Sequence, residues 1–314
     1  MIEVIVAKKQ LEAEGIFSFE LAREDGLPLP AFSAGAHIDV HLGGGLIRQY
    51  SLCNSAAENH RYQIAVLKEP ASRGGSEQMH EAVIEGQRLT IGEPRNLFQL
   101  DASAGHSMLF AGGIGITPIL CMAERLSHAG ASFDLYYSVR SRDRAAFVKR
   151  MQESPFADRV HLRFDDEQPL DARAVLTNSK ADTHLYVCGP GGYMEYVLSS
   201  GRAEGWPEER LHREYFSAGA EVSAPGEAFE IEIASSGEVM RVEADQSIID
   251  VLYGAGIDVP VSCEQGVCGT CITRVLDGIP EHRDSFLTDA QRALNDQFTP
   301  CCSRAKSPRL ILDL

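Results

Sequence analysis

The chain has no long apolar run and no surplus of positive charge. No stretch approaches the roughly 18 consecutive apolar residues that a membrane-spanning helix needs. The opening MIEVIVAKKQ lacks the basic-then-apolar order and small-residue cleavage site of a secretory signal. Lys and Arg number 29 against 45 Asp and Glu, a formal charge of -16 over 314 residues. Nucleic acid and anionic membrane both require a basic face, so neither is expected as a partner. A partner with a basic patch fits this balance, and so does simple solubility. No internal repeat or low-complexity tract interrupts the sequence. The expectation is a cytoplasmic protein, long enough for two or three domains of about 100 residues each.

Cysteine is unevenly placed. Cys53, Cys121 and Cys188 are scattered and suit small core positions, whereas Cys263, Cys268, Cys271, Cys301 and Cys302 fall in the last sixth of the chain. In a reducing compartment such crowding points to a metal or cluster rather than to disulfides. "CEQGVCGTC", 263 to 271, has the C-x4-C-x2-C spacing of plant-type [2Fe–2S] sites, which need a distant fourth cysteine. Small residues at 266, 269 and 270 let the loop wrap tightly, so that backbone N–H groups can point at sulfur. Zinc is the rival, but structural zinc sites usually carry two paired short spacings. Of Cys301 and Cys302 one ligates and the other is a buried thiol; the spacing favours Cys301.

The remainder divides by pattern into residues 1–102, 103–220, a linker at 221–228 and residues 229–314. The first part reads as short alternating strands (IEVIVAKK, HIDVHL, RQYSLC, YQIAVLK) with one helix from Ser76 to about Val83, an antiparallel barrel or sandwich. In the second, strands alternate with helices: SMLFAGG, then TPILCMAERLSHAG, FDLYYSV, a helix near 145–152, VHLRF, THLYVCGP and a helix from about Gly192. That order implies a parallel sheet with crossover helices. In its first helix Ile119, Met122, Ala123 and Leu126 share a face, with Thr117 as cap, Pro118 in the first turn and Gly130 at the end. The linker contains Pro and Gly and little to bury. The last part has 14 acidic and 7 basic side chains. It opens with FEIEIAS and EVMRVEA, continues through a helix SIIDVLYGAG, the cysteine loop and a short helix near LTDAQRAL, and ends on RLILDL.

Three further stretches carry chemistry. "AGGIGITP", 111 to 118, leaves a strand and opens a helix, where N–H groups and the helix dipole hold phosphate. Pro118 stands where the third glycine of the full dinucleotide fingerprint would fall, so a tight structural turn is the alternative. "CGPGGYM", 188 to 194, joins a second strand to a helix, and two such turns at the C-terminal ends of parallel strands border one crevice. In "RQYSLCN", 48 to 54, Arg48 suits phosphate and Tyr50 a flat ring, with Ser51 on the opposite side; a polar edge strand is the bland reading. "RGGS" offers Gly74, Gly75 and Ser76 to a phosphate.

Taken together, "RQYSL", "GGS", "GGIGITP" and "CGPGGYM" are similar to the flavin and nicotinamide motifs of the ferredoxin–NADP⁺ reductase superfamily, and "CEQGVCGTC" with a late cysteine resembles a plant-type ferredoxin. Their order resembles the phthalate dioxygenase reductase family, which includes the vanillate O-demethylase reductases. The resemblance spans nearly the whole chain. It implies an antiparallel β-barrel flavin domain, an α/β parallel-sheet nicotinamide domain and an α+β (β-grasp) ferredoxin domain. It further implies FMN rather than FAD, NADH as donor, and a Rieske-type oxygenase component as acceptor. Arg48, Gly75 and Ser76 would hold the FMN phosphate, Tyr50 would pack on the isoalloxazine, and Ser51 would hydrogen-bond flavin N5. Gly113, Gly115 and Thr117 would hold the NADH pyrophosphate and its neighbourhood, Cys188 and Gly189 would lie near the nicotinamide, and Phe216 near the flavin. Leu52, Lys68, Gly74, Pro118, Arg140 and Pro190 join the cofactor-binding set; Tyr50, Ser51 and Cys188 are the catalytic expectation; Cys263, Cys268, Cys271 and Cys301 hold the cluster.

"SVRSRDR", 138 to 144, sits awkwardly, because arginines at that place favour NADPH. NADH is expected from the resemblance, and NADPH from Arg140 and Arg142. The alternatives are an NADPH-dependent reductase for a di-iron hydroxylase or a separate ferredoxin, and a non-enzymatic zinc-binding interaction module. Hydride donor, flavin and one-electron cluster form a logical series in which cofactors carry the chemistry, so no essential acid–base pair is expected.

Overall fold

The computed structural model describes residues 1–70, 72, 74–177, 182–216 and 226–314. Arg73 of "RGGS" and residues 221–225 of the expected linker lie outside the described residues. The chain forms two compact units, Met1–Glu214 and Tyr215–Leu314.

The first unit begins with β1 (Ile2–Ala13), β2 (Ile16–Ala22), β3 (His37–His41), β4 (Ile47–Ser51), β5 (Tyr62–Leu67), α1 (Gly75–Glu81) and β6 (Arg88–Ile91). The strands are antiparallel in the order β4-β3-β6-β1-β2-β5. Where β4 runs out, Leu52 bridges Ile64 and the Cys53 N–H donates to the Gln63 carbonyl at 2.8 Å. The end strands therefore meet, and the sheet closes into a barrel rather than a sandwich, which removes its open edge. Alternation does the rest: Val4, Val6, Ile38 and Val40 point inward with Phe19, Leu21 and Ile64.

The unit continues with β7 (His106–Gly112), α2 (Ile116–His128), β8 (Phe133–Val139), α3 (Val148–Gln152), β9 (Val160–Phe164), α4 (Ala172–Leu176), β10 (Thr183–Cys188), α5 (Gly191–Ala203) and β11 (Leu211–Glu214). These strands are parallel in the order β11-β10-β7-β8-β9. The chain winds outward from β7 to β9, then returns to β10 on the other side. The reversal between β7 and β10 is the switch point at which open α/β sheets bind ligands. Both strands are apolar runs buried on both faces. Thr117 is not the cap of α2: a tight turn at Gly113–Gly115 starts the helix early, Gly115 takes the cap position, and Thr117 lies inside the first turn. The helix expected near 145–152 begins only at Val148, because Arg142–Arg144 form a 3-10 turn and Phe147 adopts a left-handed φ of 61°.

Residues Ile116 to Ala123 of α2 are all buried. Fully burying side chains such as Ile119, Leu120 and Met122 is worth roughly 1.5–3 kcal/mol each. They share one apolar core with Ile16, Ala34, Cys53, Ala65 and Phe98 from the barrel region. Arg150 adds a polar tie, to Glu124 and to the Gln63 side chain, each at 2.8 Å. The expected division at 102/103 thus falls inside one packed unit, and β11 ends this unit at Glu214.

The second unit comprises β12 (Phe229–Ile233), β13 (Val239–Val242), α6 (Ile248–Gly254), β14 (Thr273–Asp277), β15 (Pro280–Glu281), α7 (Asp289–Leu294), β16 (Gln297–Phe298), β17 (Arg304–Ala305) and β18 (Arg309–Leu312). Its main sheet runs β13-β12-β18-β14-β16, with β12 parallel to β18. Helix α6, capped reciprocally by Ser247 and Asp250, buries Ile248, Ile249 and Leu252 in the core that holds Ile231, Ile233, Leu310 and Leu312. This is the expected β-grasp arrangement. Gly226 and Glu227, assigned to the linker from sequence, are already fixed here: the Gly226 N–H donates to Ala244 and the Arg304 guanidinium to the Glu227 carbonyl. Among the described residues no helix is long and apolar enough to cross a membrane.

Candidate functional site

The turns leaving β7 and β10 touch backbone to backbone. A Cβ on Gly115 would stand 2.2 Å from the Cys188 carbonyl oxygen, and one on Gly189 would stand 2.9 Å from the Gly112 Cα, so neither position admits a side chain. The two glycine motifs are brought together as the sequence implied. Gly113 has φ 52°, Pro118 is buried in α2, and Pro190 caps α5. The buried Thr117 hydroxyl donates to the Ile114 carbonyl at 3.1 Å and braces the turn from inside. Cys188 is fully buried, and desolvation, with the nearby Glu214 carboxyl, pushes its thiol well above the usual range. Sequence reasoning missed Tyr193 and Ser138, whose hydroxyls lie 3.4 Å apart with the Tyr193 ring against Gly112. At the end of β8, Arg140 is exposed, whereas Arg142 is held by both oxygens of Glu167 at 2.7 Å and lies 4.4 Å over the Phe164 ring.

The barrel contributes a second cradle. A Cβ on Gly75 would stand 2.5 Å from the Arg48 Cγ, which places Arg48 directly against the start of α1 beside Gly74. Tyr50 is half-buried against the barrel core, and burial raises its phenol. The other expected residues are engaged locally. The Ser76 hydroxyl accepts from the Glu69 N–H at 3.1 Å and meets the Ser72 hydroxyl at 3.0 Å; the Lys68 amine pairs with Glu81 at 2.7 Å. The Leu52 side chain is in the barrel core, and its N–H donates to Ala36 at 2.8 Å. Phe216 belongs to the second unit and is exposed.

Ser51, buried at the end of β4, donates to Glu214 Oε2 at 3.3 Å, and His37 Nδ1 lies 3.9 Å from Oε1. Glu214 is the register partner of Cys188 on β11. Burial pushes the Glu214 carboxyl up to about 8, with the Ser51 hydrogen bond opposing. Burial and the Arg95 charge push His37 down to about 4. At neutral pH the acid therefore keeps its proton and the imidazole stays neutral, so this contact joins neutral groups rather than an ion pair. Sequence reasoning also missed Glu214 and His37. Only the pairing of β10 with β11 reveals that "REYF" sets a carboxyl beside Cys188.

In the second unit the cysteines form two pairs. The Cys263 and Cys268 thiols are within hydrogen-bonding reach of each other, and Cys301 is within reach of Cys271. The Gln265 N–H approaches the Cys263 sulfur at 3.4 Å, and the Thr270 N–H approaches the Cys268 sulfur at 3.5 Å. Cys302 also reaches Cys301 but turns to the Thr299 hydroxyl at 3.1 Å. No three His, Cys, Asp or Glu among the described residues converge on a single ion. Two pairs of thiols with N–H donors match the donor chemistry of a two-iron cluster.

Cys301→Ser is expected to abolish iron retention, whereas Cys302→Ser keeps iron and the visible cluster bands; iron assay and absorbance check this, and the reverse result would make Cys302 the ligand. For Glu214 the folded value lies above the free value of 4.5. Its contribution is fully favourable below about pH 4.5 and is lost as pH rises through about 8. Glu214→Gln should therefore gain stability relative to the parent progressively across that window. Urea midpoints at about pH 5 and about pH 8.5 test this; a difference independent of pH would refute it.

Residues 231–306 match the 2Fe-2S iron-sulfur cluster binding domain family. A vanillate O-demethylase oxidoreductase of Pseudomonas sp. strain HR199 is 58% identical over 317 residues, covering 100% of both chains. The protein of the same name from Acinetobacter baylyi is 50% identical over 315 residues, covering 100% of this chain and 99% of its own. Among solved structures, phthalate dioxygenase reductase, described as modular for electron transfer from pyridine nucleotides to [2Fe-2S], superposes with a TM-score of 0.80 at 38% identity, covering 100% of this chain and 98% of that one. With barrel, switch-point crevice and paired thiols in that same order, the chain belongs to the phthalate dioxygenase reductase family of NAD(P)H-dependent flavin iron–sulfur oxidoreductases.

Proposed function

We propose that this chain is the cytoplasmic reductase component of a Rieske-type O-demethylase acting on a methoxylated aromatic acid, and that it takes a hydride from NADH on FMN and delivers single electrons through a [2Fe–2S] cluster. The observation that carries the substrate class is the end-to-end match to vanillate O-demethylase oxidoreductases. The eight free thiols suit a reducing compartment. Flavin supplies the step between a two-electron donor and a one-electron acceptor.

The chain's own residues bind and orient. Arg48 beside Gly74 and Gly75 would hold the single phosphate of FMN, and Tyr50 would face its ring. The Gly113–Gly115 and Cys188–Pro190 turns would hold the dinucleotide. Ser51 presents a hydroxyl whose partner, Glu214, holds a proton at neutral pH, so this corner of the crevice is uncharged. The preference for NADH is supported at Arg142, whose charge is matched by Glu167, while Arg140 keeps NADPH the competing donor. Cys263, Cys268, Cys271 and Cys301 would hold the cluster.

Protein prepared without air should show flavin and iron–sulfur absorbance that bleaches on adding NADH. Bleaching only with NADPH would reverse the donor assignment, and a colourless zinc protein would remove the reductase reading. The acidic 229–314 segment predicts a basic patch on the acceptor, so the rate of acceptor reduction should fall as ionic strength rises. A rate unchanged by salt would refute that.

A further inference from the structure

Beneath the cysteine loop lies a buried polar turn that the sequence motifs do not mark. The Asp284 side chain is fully buried. Its Oδ2 accepts from the Phe286 N–H at 3.0 Å and the Leu287 N–H at 2.7 Å, folding residues 284–287 into a tight turn. Arg292 of α7 donates to the Asp284 carbonyl and sits 3.7 Å from Oδ2. This turn is pressed against the loop at both of its glycines. A Cβ on Gly266 would stand 2.9 Å from the Asp284 Cα and 2.4 Å from the Cys302 sulfur; a Cβ on Gly269 would stand 2.4 Å from Phe286 Cζ. The Ser285 N–H donates to the Gly266 carbonyl at 3.0 Å. Asp284 Oδ1 and both ring nitrogens of His282 are buried without a hydrogen-bond partner among the described residues, with His282 Nδ1 3.7 Å from Oδ1. A buried acidic group is therefore retained at the floor of the loop although packing alone would be served by an apolar residue.

We propose that Asp284 is a positioning residue for the cluster: its carboxylate shapes the turn that seats Gly266 and Gly269, and its charge beneath the loop lowers the reduction potential. This rests on assigning the cluster to Cys263, Cys268, Cys271 and Cys301. Reduction adds one negative charge to the cluster, and a buried carboxylate opposes that charge in a medium of low dielectric. Arg292, more exposed and bound chiefly to the backbone, offsets only part of it.

Asparagine separates the two effects, because its Oδ1 still accepts the N–H bonds while the charge is gone. The test uses the full-length holoprotein, with potentiometry and EPR of the reduced cluster. Asp284→Asn is expected to shift the potential positive and keep the parent g-values. Asp284→Ala is expected to change the g-values and to lose iron to a chelator several-fold faster. Arg292→Gln, which keeps Asp284, is expected to shift the potential negative, and it carries the charge test if neither Asp284 variant folds. Parent potentials in Asp284→Asn and Arg292→Gln overturn the electrostatic claim; parent g-values and iron retention in Asp284→Ala overturn the positioning claim. A parent protein with no iron–sulfur spectrum overturns the ligand assignment instead.

Discussion

The first unit depends on one close approach: the turn after β7 lies so near the turn after β10 that Gly115 has no room for a Cβ beside the Cys188 carbonyl. That contact fixes the switch point of the parallel sheet. It also starts α2 at once after the turn, and the first eight residues of α2 then carry the apolar core across to the barrel. The crevice, the placement of Cys188 and the packing of the barrel on the sheet are thus one constraint expressed three ways. A looser turn would open the crevice and draw α2 away from Ala34 and Phe98 together.

What was legible in the sequence was local. The cysteine spacing, the two glycine turns and the strand periodicities all lie within short windows, and the elements named from them have the expected type, whereas β2, β6, α4, β11 and β14 are not among them. Boundaries were less legible, because they are decided by neighbours. Thr117 has the chemistry of a cap, but a 3-10 turn that the sequence does not announce starts α2 before it. Gly226 and Glu227 look like linker until Arg304, 77 positions from Glu227, is seen to bond there. Glu214, His37 and Tyr193 are ordinary in sequence. They become site residues only through strand register and the meeting of barrel and sheet.

The neutral corner at Ser51, Glu214 and His37 qualifies the view that the cofactors do everything. A buried carboxyl held protonated at neutral pH is costly to ionise. It is retained beside the one hydroxyl that the resemblance assigns to flavin N5. The corner adds no charge to the crevice, yet it keeps a proton within one hydrogen bond of Ser51. Glu214 and His37 do not form an acid–base pair, since His37, at about 4, is too weak a base to take the proton.

The adjacent cysteines near the end of the chain differ in their packing, which adds to what spacing says of them. Spacing favours Cys301 by one residue only, which is no physical argument. The structure gives Cys302 an environment of its own: the Thr299 hydroxyl at 3.1 Å, the Ser303 hydroxyl at 3.8 Å and the Gly266 backbone beneath it. A thiol so engaged is already part of the floor, and moving it toward Cys271 would break those contacts and unseat Gly266. Cys301, less buried and beside Cys271, is free of that duty. The two neighbours therefore stand in different surroundings, Cys301 beside Cys271 and Cys302 against the Gly266 backbone.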